Sequence, residues 1–414
     1  MTRIVKLKTR GLEYEFSENA FTAFKNGSAI TKDDENESIN RDEFNAIIQE
    51  EVSQFIDNSF SNIVVLLGAG ASVVSNSDGV INRKYGKTVA MIAQIVSDEL
   101  FDGKYVLDNK KIDVQSLEEL SELVKYQDNI YEADGSENLK SEFNLEDFLS
   151  KLLSYIKFVN DDKTKNSKNA IFDIIEKETN YEYNSDFFKH EALLNLLSKK
   201  IKNKNKLNIV TTNYDTLIED AANQAGYTIF DGFSFSQLPV FDDDMFEWNL
   251  VKDVPYVETN EKIYKKHVFN LFKIHGSLTW ELNGDKILRK DKNSVKEPIM
   301  IFPSSDKYMQ SYQEPYFELF SRFQEILKKP NTLLITSGFS FADNHISRMI
   351  LQAIIHNTSL YSLITDFNIE HGNDSNKNWE ELNKKMENGF PIMFLQATLN
   401  NDLTNYLGVS RNDN

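Results

Sequence analysis

Apolar residues follow two rhythms along this chain. Short, mainly apolar runs at 63–67, 207–212, 268–274, 331–340, 362–367 and 391–397 read as strands, the first three of them buried and the first as in a parallel sheet. Between them the spacing is helical. Phe44, Ile47, Ile48, Val52, Phe55 and Ile56 mark a helix within 42–60, and 88–100, 316–328 and 345–355 carry the same period. From about 115 to 203, helix-period segments follow one another (117–126, 145–158, 170–175 and 187–201) with few strand signals. Strands alternating with helices predict an α/β domain at 41–100 and 204–400, and the helical stretch predicts a module inserted at 101–203. Residues 1–40 alternate only weakly (Ile4, Val5, Leu7; then Leu12, Tyr14, Phe16) and read as an N-terminal hairpin or arm outside the core, with 401–414 as a C-terminal tail. The stripe Phe143, Phe148, Tyr155 and Phe158 is expected inside the module, and the lysine-rich run 199–206 as a solvated helix end.

Chemistry-bearing residues gather where the apolar runs stop. The first run passes directly into Gly68-Ala69-Gly70-Ala71-Ser72. Two glycines one apart let a backbone approach a pyrophosphate, and a helix N-terminus after such a turn favours negative charge. The same turn also serves simply to pack a strand against a helix, and a dinucleotide fingerprint would want glycine where Val73 stands. Strand, turn and helix together set the fold class as α/β, a Rossmann-like parallel sheet with helices on both faces and an inserted helical module.

The second run ends in Thr212-Asn213-Tyr214-Asp215, followed by Thr216 and Glu219 at capping-box spacing. Open α/β sheets bind ligands at the carboxyl ends of their strands, so Asn213 and Asp215 are candidates, against the alternative that they only shape the turn. His275, before Gly276, is placed to act as a base on a ligand hydroxyl. Ser337-Gly338-Phe339-Ser340, followed by Asp343, is a second small-residue turn suited to a ribose or adenine. Gly86-Lys87-Thr88 looks like the end of a phosphate-binding loop, but Ile81 stands where that loop needs glycine, which excludes it. Arg83, Lys84 and Lys87 either reach a phosphate or are solvated surface charges. Asp242 to Asp244 lacks the spacing of a cation loop, and the other histidines show no metal-ligand spacing.

Composition narrows the chemistry. The balance of 46 basic against 64 acidic residues, a net charge of −18, argues against general affinity for nucleic acid or anionic membrane. The chain contains no cysteine, which removes disulfides, thiol nucleophiles and cysteine-ligated zinc. The start has no signal-peptide core and no run reaches the roughly 18 apolar residues of a membrane span, so a cytoplasmic protein is expected.

The four motifs (68–72, 212–215, 275–276 and 338–340) occur in the order used by sirtuins, and the chain most resembles the bacterial sirtuin-like NAD-cleaving proteins of anti-phage defence. The resemblance implies NAD+ as substrate. Gly68, Ala69, Gly70 and Ser72 would hold its pyrophosphate, with Thr212 also binding it. Asn213 would be the catalytic asparagine by the nicotinamide ribose, Asp215 would contact the carboxamide, and His275 would be the base. Gly338 and Ser340 would meet the adenosine half. Two departures matter. Deacylating sirtuins carry a four-cysteine zinc module, which this chain cannot build, and their Asp-Phe-Arg element is absent from 75–86. Both weaken deacylation and leave cleavage of NAD itself, without zinc. The resemblance further implies abortive-infection defence, a homo-oligomer and a regulatory partner: a HerA-type hexameric ATPase, an Argonaute or a phage structural protein. Competing readings are an NAD-dependent deacylase or ADP-ribosyltransferase, and a non-catalytic subunit that binds NAD or ADP-ribose. A pure binder has no need for both Asn213 and His275.

Overall fold

Unbroken apolar runs need cover on both faces, and the computed structural model shows how they obtain it. It describes residues 3–18, 20–32, 37–75, 80–82, 84–140, 142–202, 204–254, 261–296, 298–300, 315–370 and 376–408. The central sheet contains, in chain order, β1 Arg3–Thr9, β2 Leu12–Ser17, β3 Thr22–Lys25, β4 Ser28–Ala29, β5 Asn62–Leu67, β6 Leu207–Thr211, β7 Thr228–Phe230, β8 Val268–Lys273, β9 Thr332–Ser337, β10 Leu360–Asp366 and β11 Ile392–Gln396. Their spatial order is β4-β3-β2-β1-β11-β10-β9-β5-β6-β8-β7. Strands β5 to β11 run parallel; the first four are antiparallel to their neighbours.

Alternate residues of each central strand enter different cores. Val64 and Leu66 face a layer that includes the helices α8 Tyr316–Lys328, α9 Asn344–His356 and α10 Lys377–Glu387. Ile63, Val65 and Leu67 face another, with α1 Arg41–Ile56, α6 His190–Lys200, α7 Leu217–Gln224 and α11 Leu403–Leu407. A third core joins α2 Val89–Leu100, α3 Leu117–Leu123, α4 Leu145–Phe158 and α5 Asp162–Thr179, all between β5 and β6. Thus α2 packs with the inserted helices and α6 packs on the sheet. Phe143 and Phe148 lie in that third core, whereas Phe158 is 88% exposed at the end of α4.

Several expectations change once the strands are side by side. The N-terminal strands are part of the sheet, because β1 pairs with β11 and Leu7, Tyr14, Phe16 and Ala23 pack against Phe44 of α1. Alternation is weak in β1 because Val5, Lys6 and Leu7 are all buried, where the pairing with β2 shifts register between Val5 and Leu7. Within the expected tail, Leu403, Tyr406 and Leu407 of α11 are buried, so the described part, 401–408, packs on the core. The polar stretch 370–385 contributes α10, which buries Trp379, Leu382 and Met386 on one stripe. Lys206 is also no solvated helix end: its Nζ donates to the Phe246 and Trp248 carbonyls at 2.7 and 2.6 Å, and burial lowers its pKa to about 8. Among the described residues no helix is long and apolar enough to cross a membrane.

Chain direction makes the crevice. After β5 the chain moves toward β6, and after β9 it moves the other way, to β10, so β5 and β9 flank a topological switch point. Register sets Leu67 beside Ser337, and the two glycine turns leave the sheet at one level. Gly68 N–H donates to the Ser337 carbonyl and Gly70 N–H to the Gly338 carbonyl, each at 3.0 Å. A Cβ on Gly338 (φ +64°) would lie 2.2 Å from the Ala71 nitrogen, and one on Gly68 would lie 2.4 Å from the Gly338 oxygen. Gly338→Ala is therefore expected to cost about 2 kcal/mol or more. Gly226→Ala, also at positive φ (+71°) but in open space, should cost only about 1 kcal/mol. Urea denaturation compares the two, and equal losses would refute the packing argument.

Candidate active site where two glycine turns cross

Strand register brings the marked residues together. Leu67, Thr211, Lys273, Ser337 and Thr365 form one row across β5, β6, β8, β9 and β10. Gly68, Asn213, His275, Gly338 and Asp366 stand one or two positions beyond that row. A cleft of about 1620 Å³ opens there, lined by Ala69, Gly70, Ser72, Thr212, Asn213, Asp215, His275, Gly338 and Ser340 among others. Gly68 does not line it.

The first turn is not the start of an α-helix. Ala69–Ser72 is a single 3₁₀ turn, and the next α-helix, α2, begins at Val89 behind its cap Thr88. With Gly68 and Gly70 N–H bonded to the second turn, these glycines are required by close packing, and no α-helix dipole aims into the cleft at this point. The sequence had left packing and phosphate approach as alternatives; the geometry supplies the first.

A polar network fills the space beside the turn. Asn213 Nδ2 donates to the Gly68 carbonyl at 2.9 Å and to Ser72 Oγ at 2.8 Å. Ser72 Oγ donates to Asp215 Oδ2 at 2.5 Å, while Asp215 Oδ1 accepts from the Leu217 N–H at 3.1 Å. Below them Lys273, a buried lysine, donates to the Asp215 carbonyl and pairs with Glu219 Oε1 at 2.9 Å. Burial raises the Glu219 carboxyl, and the Lys273 charge opposes that shift. This pairing explains why the expected capping box does not form. Glu219 is drawn to Lys273, Thr216 bonds Asp220 instead, and Asp215 Oδ1 takes the N–H of Leu217, the first residue of α7.

His275 sits where β8 gives way to a three-stranded sheet. Gly276 (φ +93°) makes that corner, and a Cβ there would lie 2.1 Å from the Ile299 carbonyl oxygen, so His275 is pinned by a bend only glycine allows. Its Nε2 lies 3.3 Å from Asp343 Oδ2, with both side chains almost fully buried. Asp343 Oδ1 meanwhile caps α9, accepting from His345 and Ile346 N–H at 2.9 and 3.2 Å. One carboxylate thus anchors a helix and faces the imidazole. The sequence showed Asp343 after the second turn but gave it no role, since its partner is 68 positions away. Its N-cap position was the available signal.

The remaining wall is mixed in charge. Asn144, Glu146 and Asp147 at the start of α4 border the cleft, with Tyr181, Lys87 and Arg348. Lys87 is paired with Glu178 at 2.9 Å, Lys84 lies over the Tyr85 ring, and Arg83 lies outside the described residues. Asp242, of the acidic run 242–244, caps a one-turn 3₁₀ helix, and Asp243 pairs with Arg322. Among the described residues no cluster of three metal-ligating side chains occurs.

Residues 207–387 match the SIR2-like domain family model. No curated protein matches the chain. The matched SIR2-like stretch runs from β6 to the end of α10 and holds Asn213, Asp215, His275, Gly338, Ser340 and Asp343, while the turn 68–72 joins them through the fold. SIR2-like domains are generally NAD-dependent enzymes, and the mostly parallel sheet with its switch-point cleft is a Rossmann-like α/β arrangement consistent with one.

Asp366 gives the cleft a titration signature. Burial raises its carboxyl to about 6, although the Asn368 and Phe367 backbone N–H groups partly oppose this. A carboxyl that is harder to ionise when folded makes the native state lose stability as pH rises from about 4 to about 6. Asp366→Asn removes that loss. The variant should gain about 2 to 3 kcal/mol relative to wild type at pH 7.5 compared with pH 4, read from denaturation curves at the two pH values. A difference that does not change with pH would contradict it.

Proposed function

We propose that this chain hydrolyses NAD+ to nicotinamide and ADP-ribose. The observation that carries the reading is the convergence, in one switch-point cleft, of the Asn213 amide with a buried His275 held against a carboxylate. Breaking the nicotinamide–ribose bond passes through an oxocarbenium-like state, electrophilic enough that a well-placed water completes the reaction. Asn213 would position a ribose hydroxyl or that water. His275 would accept the proton, and Asp343 would stabilise the imidazolium that forms and fix the ring. Thr212, Gly338 and Ser340, all lining the cleft, are the proposed contacts to the rest of the dinucleotide.

We also propose that this activity depletes NAD as an anti-phage effector, in a homo-oligomer governed by a partner such as a HerA-type ATPase. Support for that part is the motif order. An enzyme that destroys a central cofactor must be restrained, and restraint by assembly suits it.

Purified protein, with and without the product of the neighbouring gene, tests the chemistry by chromatography of nicotinamide and ADP-ribose. Asn213→Ala and His275→Ala should each lower kcat about 100-fold or more. Asp343→Asn should lower it at least about tenfold with little change in melting temperature, because asparagine caps a helix as well as aspartate does. Wild type that binds NAD but never consumes it, even with the partner, would leave a binding module in place of the hydrolase. Release of acetyl groups from a peptide, dependent on NAD, would instead favour the deacylase.

A further inference from the structure

The direction of each hydrogen bond around Asn213 can be read from chemistry alone. The Gly68 carbonyl can only accept, so the amide nitrogen of Asn213 must face it. Ser72 has one hydroxyl proton, which it donates to Asp215 Oδ2, so toward Asn213 it accepts, and again the amide nitrogen must face it. Both amide protons are thereby spent. The oxygen Oδ1 is the polar atom that Asn213 keeps for a ligand in the cleft, and there it presents an acceptor. The other side of the relay is equally determined. Asp215 accepts from Ser72 with one oxygen and from Leu217 with the other, and its carbonyl is gripped by buried Lys273.

We infer that Ser72, Asp215 and Lys273 are positioning residues that fix the polarity of the Asn213 amide, so that its oxygen meets a hydroxyl or a water at the reacting ribose. This rests on the hydrolase reading and differs from what the sirtuin resemblance implies, where Ser72 holds pyrophosphate and Asp215 touches the carboxamide. In the relay these two side chains act through Asn213. An amide rotated by half a turn would offer N–H groups to a hydroxyl or water and lose the acceptor the reaction needs, while the dinucleotide could still bind.

Three variants separate the alternatives, read by kcat and KM for NAD, by the dissociation constants for ADP-ribose and for nicotinamide, and by melting temperature. Ser72→Ala removes the acceptor that holds the amide nitrogen. Asp215→Asn keeps the shape but cannot supply acceptors to both Leu217 N–H and Ser72, so it reverses the relay. Lys273→Met combined with Glu219→Gln removes the buried ion pair as a unit, which avoids stranding one charge. Each should lower kcat at least about tenfold while KM and both dissociation constants stay within about threefold and the protein melts cooperatively. If ADP-ribose affinity falls in step with kcat in Ser72→Ala, that serine holds the ligand directly and the inference is overturned. It is equally overturned if kcat is unchanged in Ser72→Ala and Asp215→Asn. Wild type that binds ADP-ribose yet leaves NAD intact would fail the hydrolase reading itself, and the relay's catalytic role with it.

Discussion

Two loops cannot occupy the same space unless one gives up its side chains, and the site depends on that constraint. At the switch point the turns after β5 and β9 cross in backbone contact, Gly68 and Gly70 against Gly338. Their N–H and carbonyl groups satisfy one another, so the crossing needs no water and leaves few degrees of freedom. Everything functional is measured from it. The Gly68 carbonyl orients Asn213, the 3₁₀ turn that follows delivers Ser72, and the second turn leads to Asp343, which reaches His275.

The sheet leaves polar groups little choice of location. Its central strands are mainly apolar on both faces, with Asn208 and Asn270 bonded to each other inside the sheet, and most of the buried charged side chains stand at the carboxyl ends, where they find partners. Lys273 shows how strictly they are matched. It ends β8 deep in the protein, and its charge is met by Glu219 and by the Asp215 carbonyl. Burial of an ion pair adds little net stability, but leaving either charge alone is expensive, so such a pair fixes geometry more than it adds energy.

For a chain of net charge −18, binding the proposed dinucleotide would mean overcoming the repulsion locally. The cleft holds no block of lysines: Lys87 is paired with Glu178, and Lys6 with Asp402. Arg348, exposed on α9, and Arg41 of α1 are further cations that line the cleft. Affinity for a dinucleotide then leans on shape and individual polar contacts, which suits selection of one small ligand over polyanions in general.

Sequence alone determined the strands that are buried on both sides, because an apolar run at 63–67 or 207–211 has no other stable environment, and it marked the residues just beyond them. It also placed α8 at its observed bounds, Tyr316–Lys328, from periodicity. What it could not supply were partners distant along the chain. That Ser72 meets Asp215 143 residues away, that His275 faces Asp343, and that Glu219 abandons a local cap for Lys273 all follow from strand order and register. Helix α10 escaped it because one narrow buried stripe is diluted by solvent-facing residues, and the N-terminal hairpin shows its place in the sheet only when β1 meets β11. Local pattern carries the period of each element, whereas the crossing that makes a site is a property of the assembled sheet.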